Sequence, residues 1–527
     1  MHPEGKVKRR EDGFMSGVAL LTLSAACAKI CGMLFKLPLF SIIGDGGMGY
    51  FNSAYVIYTF FFVLSTSGLP VGLSILIAEG TEERHRLGYF KSSVLIFGGL
   101  GGVFCLLMLF APYRLSWLIG NPGAAKSIRV MAPSLLAVCL SGCLRGYFQG
   151  RKNMLPTALS QVIEAVFKTV LGILFAYFSV RKGQSEPHTA AMALLGVSLG
   201  SIFSFFYLAI VFFKSECLKK DAVLPEQRTR LNTFNYGKRL LAVVLPVSSA
   251  SVVLSLSSLI DLSVVMRGLV EAGHTRELAN ELYGNYSGSV IPLFNLPSVL
   301  VAPIASAVIP FLAKEKQPRA EKAKELSSLA LRLSVMISAP CALGLAFLAR
   351  PILTLLFGTG SAETAAPMLI LLSPAVLLVA LQTVSGALLQ GSGSRSIPVI
   401  CLACGAVVKL VACHLLISRI GLAGAPIGTV LCYLVSAALN LHFCLRRKIF
   451  ERRALLKLLL PLLCALLCGV VAFALVCILP SHGVFTLLAI GAGAGVYFGC
   501  LALCGAFDSN LRRLLPFFKG RSRLRAE

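Results

Sequence analysis

Charge is what this sequence has least of. Only 14% of its 527 residues are Asp, Glu, Lys or Arg, while 56% are hydrophobic and the mean hydropathy is +0.81. A soluble chain of this size does not have that balance. Long polar stretches are scarce as well. The longest, near 215–237, 267–283 and 314–325, are too short to fold as soluble domains, so the work must be done within the membrane or at its surface. No ten-residue strands alternate apolar with polar positions, which excludes an outer-membrane barrel. A Walker-type phosphate loop is missing, so no nucleotide is expected to drive the protein. The seven histidines are scattered, mostly near loops (His2, His85, His188, His274, His482), and no large outer loop accompanies them. A sugar-lipid polymerase or acyltransferase would need a catalytic His or acidic cluster, and the chain is read as a non-enzyme. Of 17 cysteines nearly all lie in apolar runs, as do Cys464, Cys468 and Cys477, and Cys401 with Cys404 is a lone CxxC. They read as small buried hydrophobes, not as disulfides or metal ligands. No cofactor is expected.

What remains is apolar length. Fourteen runs, near 14–43, 50–78, 88–111, 127–148, 156–180, 189–213, 238–266, 284–313, 326–348, 362–389, 396–417, 422–444, 456–479 and 483–506, can each cross a bilayer. Only helices satisfy their backbone in lipid at that length, which makes this an all-α polytopic membrane protein of about fourteen transmembrane helices. The first run is too long, and has no small-residue cleavage site, for a removed signal peptide. The net charge of +26 does not indicate a nucleic-acid partner, because most of the 49 Lys and Arg residues crowd alternate loops. By the positive-inside rule those loops and both termini are cytoplasmic. The clusters Lys6–Arg10, Arg446–Lys448, Arg512-Arg513 and the tail through Arg525 are chiefly topological signals, with anionic lipid headgroups as a secondary partner.

The chain also repeats itself. Leu144-Arg-Gly-Tyr-Phe-Gln-Gly150 ends the fourth run and Val384-Ser-Gly-Ala-Leu-Leu-Gln-Gly391 ends the tenth; Gln149 precedes Lys168 by 19 residues, as Gln390 precedes Lys409. Pro156 and Pro398 open the following runs, and Leu69-Pro70 in the second run resembles Leu296-Pro297 in the eighth. The predicted organisation is two pseudo-symmetric six-helix lobes, 1–225 and 226–450, with 451–527 adding the last two helices and a basic tail. Such parallel repeats are typical of alternating-access transporters, with the cargo bound between the halves.

Ionisable residues inside the membrane are few and are the candidate site. Lys29 and Lys36 lie in the first run, Glu164 and Lys168 in the fifth, Asp261 in the seventh and Lys409 in the eleventh. A charge near the bilayer centre costs about 2.5–3.5 kcal/mol on insertion scales, so these positions are functional candidates. Lys29 and Lys36 are nearly two turns apart, roughly 10 Å along the axis, and face one way. Glu164 and Lys168 are i and i+4: either a self-neutralising pair that eases insertion or a gating and cargo pair. Asp261 must find a cation elsewhere, bind an ion or be protonated; a Lys of the first run is the attractive partner. Arg145 and Arg267, near helix ends, are expected to snorkel to an interface. Asn52, Tyr55 and Tyr58 form a polar stripe suited to a cavity wall, and Gly68-Leu-Pro70 should kink the second run. Counting the four lysines against Glu164 and Asp261 leaves about two positive charges, which suits an anionic cargo such as a pyrophosphate.

Several segments carry a family resemblance. Lys29-Ile-Cys-Gly-Met-Leu-Phe-Lys-Leu-Pro-Leu39, Gly44-Asp-Gly-Gly-Met-Gly-Tyr50, Ser65-Thr-Ser-Gly-Leu-Pro-Val-Gly-Leu-Ser74, Arg145-Gly-Tyr-Phe-Gln-Gly150 and Gln161-Val-Ile-Glu164 resemble the stage V sporulation protein B-like and lipid II flippase-like polysaccharide transporters. These belong to the multidrug/oligosaccharidyl-lipid/polysaccharide (MOP) exporter superfamily. The resemblance implies a multi-pass protein of the bacterial plasma membrane. It would flip an undecaprenyl-pyrophosphate-linked peptidoglycan precursor (lipid II) by alternating access, with the cell-wall synthesis machinery as a further partner. Lys29 and Lys36 match the family's cavity cations in the first helix, with Lys where Arg is usual. Asn52 and Asn285 neighbour positions that are cationic in the better-known branch. Asp261 resembles a helix-seven acid that contacts sodium in some relatives. The alternative function is a cation-coupled multidrug or metabolite antiporter of the same superfamily, for which Asp261 and Glu164 are the available acids.

Overall fold

The computed structural model describes residues 3–504, apart from 81, 221–232, 315–320, 395 and 479–482. The side chains of Lys6–Arg10, the Arg512-Arg513 pair and the tail through Arg525 fall outside the described residues. Among the described residues every regular element is helical and there is no strand.

The chain divides into two compact units, Met1–Gly288 and Ser289–Glu527. The first holds α1 (Pro3–Thr66), α2 (Leu69–Glu79), α3 (Glu83–Ser93), α4 (Gly99–Phe110), α5 (Pro112–Leu118), α6 (Ala125–Gly150), α7 (Leu155–Arg181), α8 (Glu186–Lys220), α9 (Thr233–Glu271) and α10 (Arg276–Asn285). The second holds α11 (Ile291–Lys314), α12 (Glu321–Phe347), α13 (Ala349–Phe357), α14 (Thr359–Gly391), α15 (Ile397–Ile420), α16 (Gly424–Arg446), α17 (Arg452–Leu456), α18 (Leu459–Ile478) and α19 (Gly483–Leu503). Among the described residues twelve helical segments are long and apolar enough to cross a membrane. Two of them, Leu23–Glu79 with 57 residues and Ile397–Arg446 with 50, are long enough for two crossings each, which accounts for fourteen runs. The protein is a multi-pass, all-α membrane protein.

Interruptions fall where the sequence permits them. Gly44 (φ 68°) breaks α1 between the first two runs, in a conformation that side chains with a Cβ avoid. Gly68 (φ 72°) separates α1 from α2, and Pro70 opens α2, where a missing N–H costs nothing. Ser248 of α9 donates to the carbonyl of Ser67 at the break, while Ser65 and Thr66 bond back to the carbonyls of Phe61 and Phe62 at 2.6 and 2.7 Å. The related Leu296-Pro297 lies inside an uninterrupted α11. Its preceding residue is Asn295 rather than a glycine, so the second copy lacks the left-handed hinge.

The internal repeat is visible in local geometry. Three residues after each conserved-spacing glutamine the backbone turns left-handed, at Lys152 (φ 61°) and Gly393 (φ 90°). Asn153 N–H then bonds Phe148 O at 3.0 Å, and Ser394 N–H bonds Leu389 O at 2.9 Å. Pro156 and Pro398 both occupy the first helical turn that follows. Packing repeats too. Gly146 and Gly150 let α6 press on α2, as Gly391 lets α14 press on α11. The α7/α8 pair in the first unit corresponds to α15/α16 in the second. One core of the first unit gathers Leu73, Leu76, Tyr147, Leu208 and Leu240; in the second, Val308, Leu312, Val384, Leu388 and Phe450 pack together. α18 and α19 pack on α12, where the buried Tyr497 hydroxyl donates to Met336 O at 2.8 Å.

Candidate functional site

The site is built on α1 and α7 of the first unit. Ser24 Oγ donates to Gln161 Oε1 at 3.0 Å, and Thr169 Oγ1 donates to Cys31 O at 3.1 Å, so the first half of α1 lies along α7. Small residues allow α8 equally close: a side chain at Gly196 would meet the backbone of Gly172, and one at Gly200 would meet that of Lys168. Lys168 is thereby held with its ammonium over two rings, 5.6 Å from the Phe35 centroid and 5.1 Å from that of Tyr55, while donating to Tyr55 Oη at 3.5 Å. Ring faces stabilise a cation without neutralising it. The aromatic column continues along α1 through Phe51, Tyr55, Tyr58 and Phe62, with successive centroids 5.9–6.1 Å apart.

Lys36 belongs to the same group. It is half-buried and close enough to Lys168 for the two ammonium charges to repel. Neither lysine has a carboxylate partner among the described residues. Lys29, one and a half to two turns before Lys36, is exposed and stands outside this group.

Glu164 does not pair with Lys168. Its partner is Arg145 on α6, whose Nη2 lies 2.8 Å from Glu164 Oε2. Arg145 also donates to Ser160 and Ser204 at 3.0 and 3.1 Å, and Ser201 donates to the other carboxylate oxygen at 3.3 Å. The expectation that Arg145 snorkels to an interface is therefore corrected: its side chain is only 15% exposed and donates to a carboxylate and two hydroxyls. A guanidinium stays inside when a carboxylate and two hydroxyls fill its fork. Arg267 does lie exposed, over the Trp117 ring at 5.9 Å and bonded to Leu118 O at 2.7 Å.

Asn52 is buried and donates to Ser287 Oγ at 3.0 Å. It belongs to a second polar cluster that composition did not reveal. Asn280 donates to Gly46 O at 2.8 Å, Asn121 donates to Asn280 Oδ1 at 2.7 Å and to Ser53 at 3.0 Å, and Asn285 donates to Asp45 at 3.2 Å. These amides pin the Gly44–Gly49 turn to α10, where Gly49 and Gly284 leave room for backbone against backbone. Asp261 is half-buried on α9, and Lys409 is half-buried on α15 of the second unit. Thus Lys36, Tyr55 and Lys168 are brought together, Glu164 sits one turn away in an ion pair with Arg145, and Asn52 is bonded to Ser287. Among the described residues no group of His, Cys, Asp and Glu could hold a metal ion.

The missed partner had a signal in the repeat. By the glutamine register Arg145 corresponds to Gly386 and Glu164 to Gly405, whereas Lys168 corresponds to Lys409. The two charges disappear together in the second copy while the lysine persists.

A fold of this kind, with lysines set in its apolar helices, is that of a multi-pass α-helical membrane protein. The family model for polysaccharide biosynthesis proteins matches residues 14–316, and the chain belongs to that family. Among relatives it is 25% identical to the lipid II flippase MurJ of Bacillus subtilis (strain 168), over 96% of this chain and 98% of that one. It is 26% identical to stage V sporulation protein B of the same organism, over 81% of this chain and 83% of the other. Its fold matches an inward-closed lipid II flippase MurJ (TM-score 0.70, 16% identity, 92% of this chain and 98% of that one). It also matches an inward-facing multidrug resistance MATE-family transporter of the MOP superfamily (TM-score 0.65, 18% identity, 80% and 94%).

Proposed function

We propose that this chain is a flippase for a lipid-linked oligosaccharide, moving a polyprenyl-pyrophosphate-linked peptidoglycan precursor of the lipid II class from the cytoplasmic to the outer leaflet. The observation that carries the reading is the Lys36–Lys168 pair. Two ammonium groups repel within the membrane while the nearby carboxylate is consumed by Arg145. That arrangement is costly until an anion of about two charges enters between them, and a pyrophosphate supplies it. Lysine acts here as a point charge rather than a bidentate fork, so it attracts the pyrophosphate without fixing its orientation. The aromatic column beside Lys168 offers apolar and polar edges to the rest of the headgroup. The lipid tail stays in the bilayer, and alternating access moves the headgroup with no covalent chemistry. With both termini cytoplasmic and the inside negative, outward movement of the anion is favoured by about 2.3 kcal/mol per charge per 100 mV. Similarity to the lipid II flippase over nearly the full chain supports this cargo over a cationic drug.

The test is complementation of a bacterium depleted of its own lipid II flippase. The wild-type chain should restore growth, and Lys36→Ala/Lys168→Ala, matched for membrane level, should lose at least about tenfold in rescue, since each lysine contributes a desolvated charge contact. Full rescue by the double variant would overturn the cation site. No rescue by the wild type, with good expression, would move the cargo to another anion.

A further inference from the structure

The second unit contains a cavity of about 690 Å³ lined by Lys324, His442, Arg446, Lys448, Phe450 and Glu451. It lies where α12 begins and α16 ends, far along the chain from the α1/α7 site. Lys324 is half-buried, Arg446 and Lys448 are exposed, and among the described residues none of the three makes an ion pair or a side-chain hydrogen bond. The neighbouring Arg447, by contrast, is turned to Ser394 and does not line the cavity. With Glu451 as the one carboxylate, three cations leave a net charge of about +2 before His442 is counted.

The cavity is also preformed. Lys448 adopts a left-handed backbone (φ 57°) and closes α16 as Lys152 closes α6. The residues that follow fix the loop: Ile449 and Phe450, each 2% exposed, are sunk into the second unit's core, and Ile449 N–H bonds Cys444 O at 3.0 Å. The loop is thus anchored by its apolar residues while Lys448 and Glu451 line the cavity.

We propose that this cavity binds a phosphate group, namely the headgroup of an anionic phospholipid. The placement rests on the positive-inside orientation, which sets this end of the unit at the cytoplasmic leaflet, where basic pockets between helices meet anionic headgroups. Occupancy would tie α12 to α16 and the loop to α17. The site is independent of the proposed cargo, since it shares no residue with the α1/α7 group.

The experiment uses the purified full-length chain and native mass spectrometry, titrating phosphatidylglycerol against phosphatidylcholine. The wild type should prefer phosphatidylglycerol by about tenfold or more. Lys324→Gln/Arg446→Gln/Lys448→Gln should abolish that preference. A control lacking three exposed cations elsewhere, Lys91→Gln/Lys152→Gln/Lys238→Gln, should retain it. Equal loss in both variants, or no preference in the wild type, overturns the proposal. Millimolar inorganic phosphate added to the titration separates the sources: an unchanged preference assigns the pocket to a lipid headgroup, and loss of the preference assigns the same phosphate site to a soluble phosphate compound.

Discussion

At Glu164 the helix neighbour four residues on loses to a partner nineteen residues back. Spacing alone pairs Glu164 with Lys168, because i and i+4 share a helix face. The structure gives the carboxylate to Arg145, which brings hydrogen bonds to Ser160 and Ser204 as well. A guanidinium with three acceptors outcompetes a lysine with one. Under the proposed function, that leaves Lys168 for the anionic cargo. Removing Arg145 should therefore do two things. Arg145→Ala leaves a partly buried carboxylate unpaired and should destabilise the protein by about 2 kcal/mol, seen as a lowered melting temperature in detergent. It also frees Glu164 to neutralise Lys168, so transport should fall even where protein levels are normal. The double variant Arg145→Leu/Glu164→Leu should recover most of the stability; if it does not, the pair is not what holds α6 to α7. The individual charges were legible in the sequence. Their pairing was not, because an arginine near a helix end reads equally well as an interfacial anchor.

Among elements, the seam between α7 and α8 matters most to the site. Gly172, Gly196 and Gly200 bring the two helices close enough for backbone contact, and Phe35 of α1 packs against Gly172. Without an oil-versus-water difference to drive helices together in lipid, close packing of small residues does much of the work. Gly196→Leu should force the helices apart, costing about 1–3 kcal/mol by overpacking. It should also move Lys168 off the Phe35 and Tyr55 rings, so transport and thermal stability should fall together. Loss of neither would mean that α8 does not support the site. The seam was hidden in the sequence because a glycine in an apolar run carries no sign of which helix it meets. The hinge at Gly68 was legible, since Gly-Leu-Pro combines a left-handed residue with a helix start. Its counterpart at Leu296-Pro297 looked alike and is a continuous helix, because proline without a preceding glycine does not supply the turn.

For the whole molecule, the charge pattern makes the clearest prediction. Alternate loops carry most of the basic residues, so alkaline phosphatase fused in the turn at Gly183, outside by this reading, should be active, and a fusion at Lys152 should be inactive. The opposite pattern would invert the protein and put the basic clusters on the outer side, while the potential would still favour outward movement of an anion. Hydropathy by itself determined that the chain is helical and crosses the membrane many times, because in lipid every backbone group must be satisfied within its own segment. The repeat further marked Lys168 and Lys409 as equivalent positions. Only the tertiary structure decided that Lys36 and Lys168 come near enough for their charges to interact, that Arg145 takes up Glu164, and that asparagines pin the Gly44–Gly49 turn. These are contacts between segments far apart in the chain. Hydrophobic patterning records how each helix meets lipid, and it leaves open which side chains meet across a buried seam.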